Sequence, residues 1–534
     1  MSSKLLAVST FTMVLLYSML SVVILGVCLF TDIPMTYGIV VSLIVLFLQF
    51  FISPWITDFV MKHFYHASFD YTLPDYLNAF INKVCEEYGI VSPKVGFIDD
   101  GAPNAFTYGR TKKDARIVIT RGIIDLLTED EVKAVVGHEL GHIAHMDMFY
   151  MTVAQAVPLI LYFVFKTLCD PDRKSSDSDK NSGYSAIIGI VAYIMYIISQ
   201  YIILWLSRTR EYYADEFSCE VTGNPNSLAT ALVKIGFGLT SIKDTNAKHA
   251  VSNVGALGIF DSKTSKSLIV STNRNMSDTT MIKNAMKWEL WNPWAFFYEL
   301  NSTHPLISKR LIAISNQCSK YNQPEYIKFD LEKTESYVDD FFCELVIAYA
   351  PSILFILGLI DVIYCLATDK IQLMFTTGGI FGILLAIASL VHFSSRHGNN
   401  YKQANVAGLL GQVKVSEITA IPCELEGQII GKGDPGCIFS EDFILQDETG
   451  IIFLDYKQPL TIQNKIFALF RSKDYIDAKV KIKGWYRRGL VPYIEVYQME
   501  RDGKTKTIHT AAITKGFYYL MMMASAALVV WSLI

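Results

Sequence analysis

His138, Glu139 and His142 stand in the run His138-Glu139-Leu140-Gly141-His142, and no other stretch of the chain holds comparable chemistry. Residues four apart on a helix lie one turn above each other, so both imidazoles can face a single ion. Zinc takes nitrogen ligands of this kind and keeps a coordination position open when it is catalytic. Glu139, beside the pair, is placed to take a proton from a water whose pKa zinc lowers to about 7. Chance occurrence and a purely structural zinc site are the bland alternatives, and neither calls for an acid between the two ligands.

One zinc ion needs a third protein ligand. His145 lies on the same helical face, but a continuous helix rises about 1.5 Å per residue and rarely lets three consecutive turns converge on one ion. A third histidine six residues after the second, as in metzincins, is absent because Met148 stands there. Glu211 is the better donor, in the run Ser207-Arg208-Thr209-Arg210-Glu211-Tyr212-Tyr213-Ala214-Asp215. Asp215, one turn further on, is suitably placed to accept a hydrogen bond from a ligand imidazole and fix its tautomer. The bland reading of Arg208, Arg210 and Glu211 is the solvated end of a membrane helix.

These residues must be positioned by the elements around them. Thr128 with Glu131 three residues later is a capping box, so a helix should begin there and run into His138. Residues 94–98 and 116–120 read as short strands flanking a turn-rich stretch, and 75–88 as an amphipathic helix. The chain has 534 residues, 51% of them hydrophobic, and a positive mean hydropathy. The excess is gathered in uncharged runs near 5–30, 33–57, 148–165, 181–207, 345–360, 371–395 and 516–534, giving about seven membrane spans. The first run is too long for a signal-peptide core, lacks a clear small-x-small cleavage site and is followed almost at once by a second span.

Lys and Arg are missing from 31–38 but frequent in 62–147, which places the latter, with Arg110 and Arg121, in the cytoplasm. A hairpin of two spans then leaves and returns through a loop around Asp170 to Lys180, delivering Glu211 to the same side as His138. A net charge of −4 gives no reason to expect nucleic acid. Nine cysteines, an odd number without a C-x-x-C pair, do not form a disulfide framework.

After two further spans, residues 402–510 change character. Short runs at 411–419, 424–431, 443–446, 451–456, 478–484 and 492–497 are rich in β-formers and separated by turns such as 433–436 and 448–450, which argues for a small OB-like β-barrel. Gly484-Trp485-Tyr486-Arg487-Arg488 is expected near a turn. Acids including Glu441, Asp442, Asp447, Glu448 and Asp455 offset its basic residues, so a protein contact is favoured over single-stranded nucleic acid. Trp288, Trp291, Trp294, Phe296, Phe297 and Tyr298 could sit at the membrane interface or in a core. Asp361 interrupts a span near its outer end and should reach the interface rather than serve as an intramembrane functional acid.

Residues 75–314 resemble the membrane-integral metallopeptidases of the HtpX type, related to the CAAX prenyl proteases. The resemblance rests on Pro103-Asn104-Ala105-Phe106, on Ile117 to Thr120 leading into Arg121-Gly122-Ile123-Ile124, on the His-Glu-Leu-Gly-His run, on Arg210-Glu211-Tyr212 with Ala214-Asp215, and on Ser302-Thr303-His304-Pro305-Leu306 with Arg310. It implies a gluzincin in which His138, His142 and Glu211 hold zinc and Glu139 serves as general base and then acid. Asn104, Ala105 and Phe106 would form an edge strand that receives substrate. His304 would lie near the metal and help stabilise the oxyanion, or else simply cap a helix before Pro305. His145 departs from the usual polar residue at its position, and 241–291 and the β-domain lie outside what the resemblance explains.

The expected architecture is a mainly α, multi-pass membrane protein with a zincin-like catalytic domain of helices plus a small sheet. Two N-terminal spans (1–60) precede a metallopeptidase domain (61–340) that contains the hairpin at about 148–207. Two more spans (341–396), the β-domain (402–510) and a last span (515–534) follow. The expected function is zinc-dependent hydrolysis of peptide bonds in membrane or membrane-proximal proteins on the cytoplasmic side, with quality control as a setting. The rivals are dedicated processing of one substrate, such as a lipid-modified C-terminus, and an idle scaffold acting through the β-domain.

Overall fold

A computed structural model describes residues 3–30, 35–100, 103–169, 182–241, 279–329, 332–333, 335–432, 442–459, 462–463, 467, 472–489 and 491–534. The chain divides into two compact units, one comprising Met1–Leu239, Ala250–Ser262 and Glu299–Lys328, the other Thr240–His249, Lys263–Tyr298 and Phe329–Ile534. The loop expected around 170–180, the irregular stretch 262–277 and the turn at 433–436 lie outside the described residues.

Among the described residues, six helices are long and apolar enough to cross a membrane. Three belong to the first unit: α1 (Ser3–Phe30), α6 (Asp147–Leu168) and α7 (Ser182–Thr222). Their shared core is aliphatic, with Leu16 and Leu20 of α1, Val157 and Leu161 of α6, and Ala192 and Leu206 of α7 all buried. Helix α7 has 41 residues, about 60 Å of helix against a hydrocarbon layer of about 30 Å. Its polar C-terminal part therefore continues well past the apolar stretch. The span expected over 33–57 falls on helix α2 (Met35–His63), many of whose side chains lie outside the described set.

A three-stranded sheet and its helices complete the first unit. Helix α3 (Asp75–Tyr88) is amphipathic and buries Leu77, Ile81, Val84 and Cys85. Strands β1 (Lys94–Ile98), β2 (Ala105–Gly109) and β3 (Ala115–Thr120) pair in the order β1-β3-β2, β1 parallel and β2 antiparallel to β3. All six residues of β3 are buried, as a central strand of Val and Ile requires. Asp58 near the end of α2 accepts hydrogen bonds from the Tyr108 hydroxyl at 2.6 Å and Arg116 Nε at 3.1 Å, tying that helix to the sheet. Helices α4 (Arg121–Leu126), α5 (Glu129–Ala144) and α8 (Pro225–Ser241) follow in the chain.

The second unit contains α9 (Thr279–Trp291), the span helices α12 (Val338–Ala367), α13 (Ile371–Arg396) and α15 (Thr510–Leu533), and a β-domain. Helix α10 (Pro293–Glu299) straddles the division and α11 (Ile307–Cys318) belongs to the first unit. Strands β4 (Lys402–Gln403), β5 (Ile421–Lys432), β6 (Phe443–Gln446), β7 (Ile451–Asp455), β8 (Lys479–Arg488), β9 (Pro492–Arg501) and β10 (Lys504–Thr507) form one sheet. Because β8 pairs with both β5 and β9, five strands close into a ring, β5-β6-β7-β9-β8, with β7 and β9 parallel.

Four features of this unit differ from the sequence reading or decide between its alternatives. Residues 411–419, expected as a strand, are turns that follow the short helix α14 (Val406–Leu410). The Ser416 hydroxyl accepts from Ile418 N–H and Thr419 N–H at 3.0 and 2.9 Å, a local bonding that competes with strand pairing. Arg487 and Arg488 end β8 just before the connection to β9, near a turn as expected, but are fully buried rather than lining a basic groove. The aromatic cluster divides: Trp288 and Trp294 are core, bonded through their indole N–H to Val415 O at 2.7 Å and Glu344 Oε2 at 2.6 Å, while Phe296 is exposed. Asp361 accepts a hydrogen bond from Thr377 Oγ1 of the neighbouring span at 2.5 Å, a link between helices rather than a free intramembrane acid.

Candidate metal centre

The site is built where α5 crosses α7. The capping box forms: Glu131 N–H bonds the Thr128 hydroxyl at 3.4 Å and Thr128 N–H bonds Glu131 Oε2 at 2.9 Å. Lys234 Nζ holds the same carboxylate oxygen at 2.7 Å. That start fixes the phase of the helix, so Gly137 and Gly141 face α7. A Cβ on Gly141 would stand 3.1 Å from the Ala214 Cα, and one on Gly137 3.1 Å from Val221 Cγ2. The backbones approach this closely only because neither position carries a side chain, and the Ser218 hydroxyl adds a bond to Ala134 O at 2.6 Å.

Close approach brings three donors together. His138 Nε2 and His142 Nε2 are 3.1 Å apart, His138 Nε2 is 3.5 Å from Glu211 Oε2, and His142 Nε2 is 3.6 Å from Glu211 Oε1. Four ligands arranged tetrahedrally about zinc at 2.0–2.1 Å stand about 3.3 Å from one another, so the set fits such an ion. The opposite ring nitrogens are committed elsewhere. His138 Nδ1 is 2.9 Å from Asp215 Oδ1 and His142 Nδ1 is 2.7 Å from Asp147 Oδ2. A carboxylate can only accept, so a proton on each Nδ1 would answer these contacts and leave each Nε2 a lone pair for an ion. With those tautomers two imidazole nitrogens and a carboxylate face one point, a donor set that suits a cation. Burial opposes charge on His138, but the Asp215 and Glu211 carboxylates outweigh it and raise its pKa to about 9, a measure of the negative charge gathered there.

Glu139 is buried, and its Oε2 accepts a 2.7 Å hydrogen bond from the Thr107 hydroxyl on β2. His304 Nε2 lies 3.6 Å from Glu211 Oε1, on a loop whose carbonyls at Glu299 and Ser302 accept from Arg208 at 2.7 and 2.8 Å. Asn104, Ala105 and Phe106 are at the edge of the sheet. Thr120 N–H donates to Asn104 O at 3.0 Å, which makes that pair the hydrogen-bonded kind; with the register Ala105↔Ile119 and Thr107↔Ile117, the peptide groups of Ala105 and Thr107 point away from β3.

His145 does not join the cluster. Its ring packs edge-on against Phe217, with centroids 5.7 Å apart, and burial pushes its pKa down to about 4. Three other residues matter that spacing alone did not assign. Asp147 is five residues after His142, out of phase for a continuous helix, and returns to it because Met146 takes a left-handed conformation with φ 59°. Arg310 forks onto Asp215 at 2.9 and 2.7 Å, and Arg210 Nη2 meets Asp147 Oδ1 at 2.5 Å. Both arginines stood inside the motif runs, but their partners are distant in sequence.

Residues 74–317 match the model of Peptidase family M48. A Protease HtpX homolog of Methanothermobacter thermautotrophicus is 41% identical over 229 residues, which are 43% of this chain and 83% of that protein. The chain belongs to peptidase family M48. A Protease HtpX homolog of Aeropyrum pernix is 27% identical over 292 residues, 53% of this chain and 87% of its own length. A solved structure titled Crystal Structure of S. mikatae Ste24p aligns over 59% of this chain and 67% of that one, at 19% identity and a TM-score of 0.34, too low to carry an argument. The chain is thus an HtpX-type membrane metallopeptidase, integral and multi-pass, and the metallopeptidase match includes every donor of the cluster while the β-domain lies beyond it.

Proposed function

We propose that this M48 protein is a zinc endopeptidase in which His138, His142 and Glu211 hold one ion and Glu139 moves the proton. The observation that carries the reading is the convergence of an imidazole nitrogen from each of His138 and His142 and a carboxylate oxygen of Glu211 within 4.8 Å of one another. Zinc bound there would acidify water and polarise a peptide carbonyl. Glu139, held by Thr107, accepts the proton of the attacking water and hands it to the leaving amine. The substrate backbone adds to the open edge at Ala105 and Thr107, with Asn104 and Phe106 on the sheet-paired side, by strand addition. His304, beside the cluster, donates to the developing oxyanion.

The Lys and Arg distribution supports a site on the cytoplasmic side and substrates that are membrane or membrane-proximal proteins, with quality control as the setting. The closed five-strand ring supports the OB-like reading of the domain at 402–510. Arg487 and Arg488 spend their donors on carbonyls of Arg396, Glu417, Leu410 and Ala285 and on the Glu495 carboxylate, so neither is offered to a nucleic-acid backbone, and the reading of the domain as a protein contact keeps its basis in the offsetting acids. The division into spans 1–60, catalytic residues 61–340, spans 341–396 and a last span 515–534 completes the proposal. Processing of a lipid-modified substrate has one observation in its favour: an apolar groove of about 530 Å³ between α1 and α7, lined by Phe11, Leu15, Tyr201, Ile202 and Trp205.

Glu139→Gln tests the core of this reading. It should keep one zinc per chain and lose roughly 10²–10⁴ in peptide hydrolysis, and cells carrying it should accumulate uncut membrane proteins. Wild-type protein purified without any transition metal would sink the proposal. A prenylated peptide cleaved much faster than its unmodified form would favour lipid-linked processing.

A further inference from the structure

Both histidines of the cluster are backed by a carboxylate, and both carboxylates by a buried arginine. Arg310 fixes Asp215 behind His138, and its arm stays within the residues matched to the family, 74–317. The arm behind His142 does not. Arg210 places Nη2 on Asp147 Oδ1 at 2.5 Å and on His145 O at 2.9 Å. Its Nη1 donates to Ser9 Oγ at 2.6 Å, and the guanidinium lies 4.6 Å from the centre of the Tyr150 ring. Ser9 belongs to α1, the first membrane helix, and is fully buried. A planar fork held from three directions and along one face has a single orientation, and that orientation fixes the carboxylate that in turn aims His142.

We propose that Arg210 is a positioning residue for His142, acting through Asp147, and that Ser9 anchors it, so the first membrane helix contributes to metal binding without touching the metal. The proposal rests on the zinc reading above. Mechanical continuity runs from α1 through Ser9, Arg210, Asp147 and His142, and α1 itself packs on α6 and α7 through Leu16, Leu20 and Val23. A shift of α1 would therefore loosen one ligand while leaving the Arg310–Asp215–His138 arm in place.

The test titrates full-length protein in detergent micelles with zinc against a competing chelator, and records the unfolding midpoint of the metal-free form. Wild type should hold one ion and His142→Ala should lose it; failure of that control removes the zinc reading whatever Arg210 does. Given that control, Arg210→Met should weaken zinc about ten- to a hundredfold, and Asp147→Asn by a similar factor. The double variant should bind no more weakly than Asp147→Asn alone, because Arg210 acts through that carboxylate. Ser9→Ala should lower affinity several-fold while the metal-free midpoint stays at the wild-type value. Arg210→Lys, which keeps the charge but not the fork, covers the case in which the methionine variant fails to fold, and should be about tenfold weaker than wild type. Wild-type affinity in Arg210→Lys, or losses that add in the double variant, would overturn the proposal.

Discussion

At the scale of single residues, the centre depends on what each ligand's far side touches. Thr107 is the simplest case: its hydroxyl is 2.7 Å from the Glu139 carboxylate, and Thr107→Val keeps the shape while removing the bond. Losing one charge-assisted hydrogen bond costs about 1.5–3 kcal/mol where it is made, so kcat is expected to fall roughly ten- to a hundredfold with zinc content unchanged; an unaltered kcat would show that Glu139 needs no such hold. Met146 is the second case. Its left-handed backbone suits Gly and resists β-branched side chains. Met146→Gly should therefore retain zinc affinity, whereas Met146→Val should lower it together with stability.

Helix α5 sets the next scale, since its start and its packing face fix where both histidines point. Gly137 and Gly141 form a small-xxx-small pair against Ala214 and Ser218 of α7. Gly141→Ala puts a methyl 3.1 Å from a backbone Cα, which cannot swing aside. Overpacking of this kind costs about 1–3 kcal/mol, and zinc affinity should fall with stability because Glu211 rides on the displaced helix; equal affinity in the variant would mean the two helices need not be so close. The capping end titrates. Burial opposes the Glu131 charge, but Lys234 and the Thr128 N–H outweigh it and hold its carboxyl below the ordinary range. A depressed folded-state pKa gives stability that is complete above the unfolded carboxylate value and lost as pH falls through the folded one. Glu131→Gln should therefore lower stability at neutral pH by about 1 kcal/mol and flatten the fall of the unfolding midpoint into acid, which a pH series of thermal melts reads directly.

For the whole molecule, each unit has its own buried polar centre. In the second unit Arg488 donates to Leu410 O and Ala285 O, both at 2.6 Å, with its guanidinium 5.2 Å from the Trp288 ring. Arg488→Met leaves two buried carbonyls without that donor, at about 1–3 kcal/mol each. Calorimetry should show the loss of stability while zinc per chain stays constant, because no donor of the metal cluster belongs to that unit; loss of zinc would show that the units depend on each other.

Local rules made part of this protein legible without coordinates. The four-residue spacing of His138 and His142, the capping box at Thr128 and the apolar runs each act within a few turns of chain, where propensity and periodicity dominate. Residues 411–419 escaped because the Ser416 hydroxyl outbids strand pairing, and nothing in the spacing of Gly137 and Gly141 told that α7 would lie against them. Tertiary structure alone decided which carboxylate stands behind which imidazole. Asp147 returns through one left-handed residue, Arg310 comes from 95 positions away from Asp215 and Ser9 from 201 away from Arg210. Contacts at such separations are set by how helices pack, and no spacing along the chain encodes them.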